Sequence, residues 1–420
     1  MSWARVPLGD LADIQGGIQK QPKRTPRENN HPFLRVANVT ARGLDLSDVH
    51  RVELFGDELS RLRLQRGDLL VVEGNGSRSQ VGRAAVWDGS IDDCVHQNHL
   101  IRVRPRERLL PRYLGLVWNA PAVRDELTAV SSSTSGLHTL SVAKLKRIVL
   151  PVPHHQEQER IVEILDDHLS RLDAADNDVA TAAGRITALR RAALDQHFGA
   201  RGRVTTLGDL VDNISAGKSF GSANAPAAGD EWGIVKVSAM TWGAFDPTQN
   251  KAVPAELVDS RFEIHKGDLL VSRANTSDYV GASVLVGEVR SRLLLSDKSL
   301  RVAPRNDVRV DWLWRALQAP SAREQISSLA TGTKDSMRNI SQSALKSVRL
   351  PLASVTEQAV AVAAFEDLEL SIRRLAKVTA AQTSRSQALR RAVLAAAFEG
   401  ELTGRHADDA VIEELADDPR

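Results

Sequence analysis

The stretch ALRRAALDQHFGA at 188–200 returns as ALRRAVLAAAFEG at 388–400, 200 positions later. A chain that spells nearly the same helical segment twice is read first for an internal repeat, because the repeat decides the fold. The register holds outward from the quoted segment. PLGDLADIQGG from Pro7 matches TLGDLVDNISAG from Thr206, and RGDLLVVEGNGSRSQVG from Arg66 matches KGDLLVSRANTSDYVG from Lys266. NAPAVRDEL from Asn119 answers QAPSAREQI from Gln318, and IVLPVPHHQEQ from Ile148 answers VRLPLASVTEQ from Val348. One unit of about 200 residues is duplicated.

Each copy reads alike. Gly-Asp before Leu-Leu-Val predicts a turn feeding a buried strand, at 69–72 and 269–271. HLIRVRP and SLRVAP predict further strands stopped by Pro105 and Pro304. PRYLGLVWNAP and VDWLWRALQAP predict short helices ending near Pro121 and Pro320. Short strands and helices of this kind make a mixed α+β globule of roughly 150 residues.

Then the period changes. Ile161, Leu165, His168, Leu172, Ala175, Val179, Ala182, Ile186, Leu189 and Ala193 alternate steps of four and three, the seam of a coiled coil. The second copy runs Ala361, Phe365, Leu368, Ile372, Leu375, Thr379, Gln382, Ser386, Leu389 and Val393, with a more polar middle. Each stretch holds about 40 residues without proline, hence about 60 Å of helix, with Pro153 and Pro351 just upstream. A helix of that length with one apolar stripe needs a partner. Its own repeat is the obvious one, paired antiparallel through Ile161, Leu165, Leu172, Val179, Ile186 and Leu189 on one helix. Phe365, Leu368, Ile372, Leu375, Leu389 and Val393 face them on the other. The alternative is that each helix packs on its own globule, against which the sustained four-three alternation argues.

The expected fold is therefore α+β: two similar globules, 1–152 and 203–352, joined by long helices at 153–202 and 353–402 that form an antiparallel coiled coil. An acidic tail follows at 403–420. A chain of 420 residues exceeds one ordinary core. No run of 18 apolar residues occurs, so no membrane span is expected, and the first residues lack the apolar core of a signal peptide. One cysteine, Cys94, excludes an internal disulfide framework and fits the cytoplasm.

Net charge is +2, unevenly placed. Residues 1–150 hold 22 Lys and Arg against 16 Asp and Glu, and residues 203–352 hold 19 against 16. Basic blocks favour polyanions, whose phosphates supply most non-specific affinity. Catalytic and metal motifs are lacking. AGKS at 216–219 ends like a phosphate loop, but Asp212 stands where that pattern needs glycine. Cys94, His96 and His99 crowd into six residues without a second cluster, a poor tetrahedral metal site. No metal and no cofactor is expected in this chain.

What differs between the copies is polar loop surface. The loop after the first Gly-Gly carries Lys20, Lys23, Arg24 and Arg27; its counterpart carries Lys218, Ser219 and Asn224. The loop after the buried strand carries Asn75, Ser77, Arg78 and Gln80; its counterpart carries Arg273, Asn275, Thr276 and Ser277, with Lys334 and Arg338 beyond. Arginine pairs with guanine, and Asn or Gln with adenine, in the major groove, while Lys and Arg also hold phosphates. These are the candidate DNA contacts.

In the order, duplication and spacing of these motifs, the chain resembles the specificity subunits of type I restriction–modification systems over essentially the whole repeat. PLGDLADIQGG, the two GDLL segments, LPVPHHQEQERIVEILD, LPLASVTEQ and the two ALRRA segments carry the resemblance. It implies two target-recognition domains, each reading one half of a split site in double-stranded DNA. It also implies a coiled-coil spacer that docks two methyltransferase subunits, with restriction subunits added. AdoMet, ATP and Mg²⁺ would belong to those partners, and the chain itself would be no enzyme. A coiled-coil scaffold bridging protein partners without DNA is the alternative, as is a specificity module in a system that only methylates.

Overall fold

At the centre of the first repeat lies a four-stranded antiparallel sheet in the order Ala12–Gly16, Leu100–Pro105, Leu69–Val72, Ala84–Val86. The second repeat rebuilds it as Val211–Ala216, Ser299–Pro304, Leu269–Ser272, Ser283–Leu285. These come from a computed structural model, in which residues 3–40, 43–75, 77, 80–134, 137–199, 203–222, 225–241, 243–332 and 337–403 are described. Every residue of Leu69–Val72 and Leu269–Ser272 is buried, which is why these strands read as unbroken apolar runs. The Gly-Asp turn before each explains its own recurrence. Asp68 accepts the Gln65 N–H and is gripped by Arg104 through two 2.7 Å contacts; Asp268 accepts the His265 N–H and pairs with Arg301 at 2.9 Å.

A three-stranded sheet lies beside each: Val95–His96, Asn30–Leu34 and His50–Glu53 in the first, Asn250–Ala252, Gly233–Val235 and Leu293–Leu294 in the second. Pro121 and Pro320 do not merely end the preceding helices, Pro111–Val117 and Val310–Gln318. Each is the first residue of a further helix, Pro121–Val130 and Pro320–Leu329, where a missing N–H costs nothing.

The long helices run His155–Phe198 and Val355–Glu399. A buried glutamine roots each of them. Gln158 accepts the Leu110 N–H at 2.9 Å and donates to the Arg108 and Pro153 carbonyls; Gln358 accepts the Arg309 N–H at 2.7 Å and donates to the Asp307 and Ala353 carbonyls. This is the reason the final Gln recurs in QEQ and TEQ.

The compact units do not follow the linear repeats. One comprises the chain up to Val179 together with residues from Ala381 onward; the other is Ala180–Ala380. In the first unit, Ile161, Val162 and Leu165 share a core with Val393, Leu394, Ala397 and Phe398, and Arg390 bridges Asp173 at 2.6 Å and Asp176 at 3.4 Å. In the second, Ala193, Leu194 and Phe198 share a core with Val362 and Phe365. Arg190 pairs there with Glu369 at 3.0 Å, and Phe198 meets Phe365 edge-on at 5.4 Å. Partner numbers fall as residue numbers rise, so the helices pair antiparallel.

The seam departs from the expected one at identifiable places. Leu189 and Leu375 are 44% and 49% exposed, and Ala175 and Gln382 are exposed too. On the first helix the inward positions shift to Asp176 and Arg190, each paired with a charge on the other helix. A straight helix of 3.6 residues per turn drifts by about 20° per heptad from a strict seven-residue repeat, so a step of three becomes a step of four. Leu172, Val179 and Ile186 are half-buried, as are Leu368 and Leu389; Ile161, Leu165, Phe365, Ile372 and Val393 are buried. The acidic tail from residue 404 lies outside the described residues.

Candidate nucleic-acid interface

Strand register decides which loops meet. In the first unit Gly16 lies opposite Ile101, Val72 opposite Leu100, and Val71 opposite Ala84. The loops leaving Gly16 and Val72 and those entering Leu100 and Ala84 therefore share one rim of the sheet. In the second unit Ala216 lies opposite Leu300, Ser272 opposite Ser299, and Val271 opposite Ser283, and the equivalent loops share the equivalent rim. Both candidate loops of each copy leave from that rim.

Close approach of backbones builds the rim. A Cβ on Gly17 would lie 2.1 Å from the His96 carbonyl oxygen, and one on Gly217 would lie 2.2 Å from that of Ser296. No side chain fits there, so both positions are glycine. A duplicated arginine ties down the next loop. Arg124 donates to the Gly82 and Val81 carbonyls at 2.9 and 3.0 Å; Arg323 donates to those of Val280 and Asp278 at 2.8 and 3.1 Å. Burial lowers the pKa of both guanidiniums. A short strand pair adds a further edge: Ala274–Asn275 against Arg338–Asn339, and Gly74–Asn75 against Leu137–Thr139.

The candidate residues divide by what already occupies them. Lys20, Lys23 and Arg27 are exposed, as are Lys218 and Ser219. Arg24 is engaged: it makes two hydrogen bonds to Glu58 at 2.7 and 2.8 Å, donates to the Glu53 carbonyl and lies over Phe55. Those hydrogen bonds raise the Arg24 pKa and lower that of Glu58. Arg24 thus fastens the loop that presents its neighbours. Gln80 lines a cleft with Arg83, Arg124, Asp173 and Arg390, and its Oε1 accepts from Arg83 at 2.9 Å.

In the second unit Asn275 stands opposite Arg338 across the strand pair, so the fold brings together two candidates 63 positions apart. Arg338 also donates to the Ala330 carbonyl at 2.5 Å, and Thr276 is half-buried beside Asn275. Arg78, Asn224 and Lys334 lie outside the described residues, as does the side chain of Asn75.

Sequence reading passed over several rim residues. Glu73 pairs with His99 at 2.9 Å. Lys298, in the turn equivalent to that of His99, is exposed beside Arg273 and accepts the Arg273 N–H through its backbone carbonyl at 2.8 Å. Their signal was present in the repeat alignment, where Glu73 and Arg273 occupy matched positions with opposite charge. His96, once set beside Cys94 as a metal pattern, is buried within the globule. Burial pulls its pKa down to about 4 and pushes the Cys94 thiol up to about 12. Among the described residues no group of three His, Cys, Asp or Glu stands together as a metal site requires.

A family model described as the type I restriction modification DNA specificity domain matches residues 2–180. The Type I restriction enzyme EcoKI specificity subunit of Escherichia coli (strain K12) is 30% identical over 200 residues, 46% of this chain and 41% of the relative. Over residues 2–180 the chain is similar to the DNA specificity domain of the specificity subunits of type I restriction–modification systems. Another relative, the Type I restriction enzyme EcoEI specificity subunit of Escherichia coli, is 29% identical over 38% of this chain and 28% of its own length. The matched stretches span well under two-thirds of these two relatives. A chain from a solved structure concerned with complex assembly and conformational transition of the type I R-M system superposes with a TM-score of 0.69. That match covers 96% of this chain and 98% of the other at 18% identity, a likeness of fold. No described helix is long and apolar enough to cross a membrane.

Proposed function

We propose that this chain reads a split target in double-stranded DNA for a type I restriction–modification assembly, each unit reading one block. The observation that carries the reading is the duplicated rim: one backbone frame, built twice, carrying different hydrogen-bonding side chains. A protein that reads two unlike half-sites with one fold needs that combination. Exposed cations at Lys20, Lys23, Arg27, Lys218 and Lys298 supply sequence-independent phosphate affinity. Val360, Leu370, Leu375 and Val378 of the second long helix are exposed apolar side chains that support docking of a methyltransferase subunit. The chain itself contributes binding, in the cytoplasm; AdoMet, ATP and Mg²⁺ serve the methyltransferase and restriction subunits.

The test is co-expression with the methyltransferase subunit in a methylation-free host, followed by mapping of modified bases. Two short specified blocks around a fixed gap are expected. An active, bound methyltransferase with no split motif would replace this reading with a scaffold that bridges protein partners.

A further inference from the structure

We infer that the matched positions Glu73 and Arg273 are base-selecting residues of opposite sense, Glu73 taking the exocyclic amine of cytosine and Arg273 the acceptor edge of guanine. The inference rests on the reading above, that each unit contacts one block of the target.

The two positions share one backbone frame. Each directly follows the buried strand of its sheet, Leu69–Val72 or Leu269–Ser272. The Glu73 N–H donates to the His99 carbonyl at 3.0 Å, and the Arg273 N–H donates to the Lys298 carbonyl at 2.8 Å. The Glu73 carbonyl accepts from the Leu140 N–H at 2.8 Å, and the Arg273 carbonyl accepts from the Ile340 N–H at 3.0 Å. The residue is pinned on both sides in each unit, at the rim where the candidate loops gather. A side chain launched from so fixed a backbone keeps its place, which a base-reading contact requires.

The chemistry at that fixed point is inverted. In the first unit Glu73 Oε2 lies 2.9 Å from His99 Nδ1, while Oε1 carries no hydrogen bond among the described residues. An ionised carboxylate only accepts, and cytosine N4 is the base amine that carboxylates take in the major groove. In the second unit the same pair of positions holds two cations, Arg273 and Lys298, and neither has a carboxylate partner among the described residues. Arg273 is half-buried, and its Nε is shut away from water without a hydrogen-bond partner. Arg301 and Arg323 of this unit also bury one guanidinium nitrogen without a partner, but each has acceptors for its other nitrogens, Asp268 for Arg301 and two carbonyls for Arg323. A partly desolvated guanidinium without a counter-charge is costly until something supplies acceptors. Guanine O6 and N7 present two, in the spacing that the guanidinium fork matches.

The experiment uses the full chain assembled with its methyltransferase subunits. Methylation mapping first defines the two blocks, and exchange of residues 203–352 identifies the block read by the second unit. No split motif at this stage would overturn the parent reading. With the motif known, binding is measured at one salt concentration on a duplex panel in which every specified pair is replaced singly. Replacing the pair read by Arg273 should weaken the unaltered assembly roughly 10-fold or more. In R273A that penalty should vanish for one G·C pair of the second block, all other penalties being retained. E73A, which removes the acceptor, should do the same for one pair of the first block. R273K, which keeps the charge without the fork, should lose the same discrimination while binding non-specific duplex as before, and it carries the test if R273A does not fold. Uniform weakening of every duplex with a shallower salt slope would make Arg273 a phosphate contact and overturn the inference. So would an unchanged panel.

Discussion

Replacing Phe198 by alanine tests which globule owns the end of the first long helix. The ring is 1% exposed and packs edge-on against Phe365 at 5.4 Å, within the core that contains Leu269, Val271, Leu300 and Val302. Burying a phenylalanine removes on the order of 150–250 Å² from water, or about 4–6 kcal/mol at about 25 cal/mol per Å². Measured Phe→Ala losses run at about 3–5 kcal/mol, so about 4 kcal/mol is the expected cost. At about 1.4 kcal/mol per tenfold, amides that exchange through opening of the second unit should speed up about 10³-fold. Native-state hydrogen exchange on the full chain reads this strand by strand. The amides of Leu269–Ser272 and Ser299–Pro304 should accelerate, while those of Leu69–Val72 and Leu100–Pro105 should not. F398A should give the converse pattern, since Phe398 packs against Tyr113 in the first unit. Acceleration of Leu69–Val72 in F198A would refute the reasoning, because the helix end would then be stabilising the globule it follows in sequence.

Three further outcomes are expected. Gln158→Leu leaves the Leu110 N–H and the Arg108 and Pro153 carbonyls unpaired, and should destabilise the first unit by about 1–3 kcal/mol in thermal melts; a melt unchanged within 1 °C would refute the anchoring role. His96 has a folded pKa of about 4, below its ordinary value of 6.5, so the unfolded chain takes up that proton first as pH falls. Stability should therefore decline by up to about 3 kcal/mol between pH 6.5 and 4, and H96N should flatten that part of the profile measured against the unaltered chain. Cys94 is buried with its thiol raised to about 12, so a thiol reagent at pH 8 should label it only as fast as the first unit opens; labelling at the rate of a free thiol would contradict its burial.

The duplication, the mixed α+β class, the strands at 69–72 and 100–105 and the two long helices were legible in the sequence, because local pattern and spacing specify them. The candidate loops stood out as turn residues that differ between matched copies, but strand register, not sequence, brings them to one rim of each sheet. The separate contributions of those loop residues were not legible. Arg24 and Arg27 look alike in a basic loop, yet one is fastened to Glu58 and the other is exposed, a difference made by a helix 34 positions away from Arg24. Glu73 and Arg273 stood in matched positions throughout, but only the fold shows that backbone bonds to the His99 and Lys298 carbonyls fix both of them at the rim.

Sequence by itself determined that two copies of one unit exist and what elements each contains, because periodicity and turn chemistry are local. Only the tertiary structure decided ownership: the segment at 188–198 completes the core of residues 207–350, and the segment at 388–398 completes the core of residues 8–152. The two segments are nearly identical, so either could fill either core by composition alone. Antiparallel pairing of the helices, fixed by Arg190 with Glu369 and Arg390 with Asp173, selects one arrangement over the other.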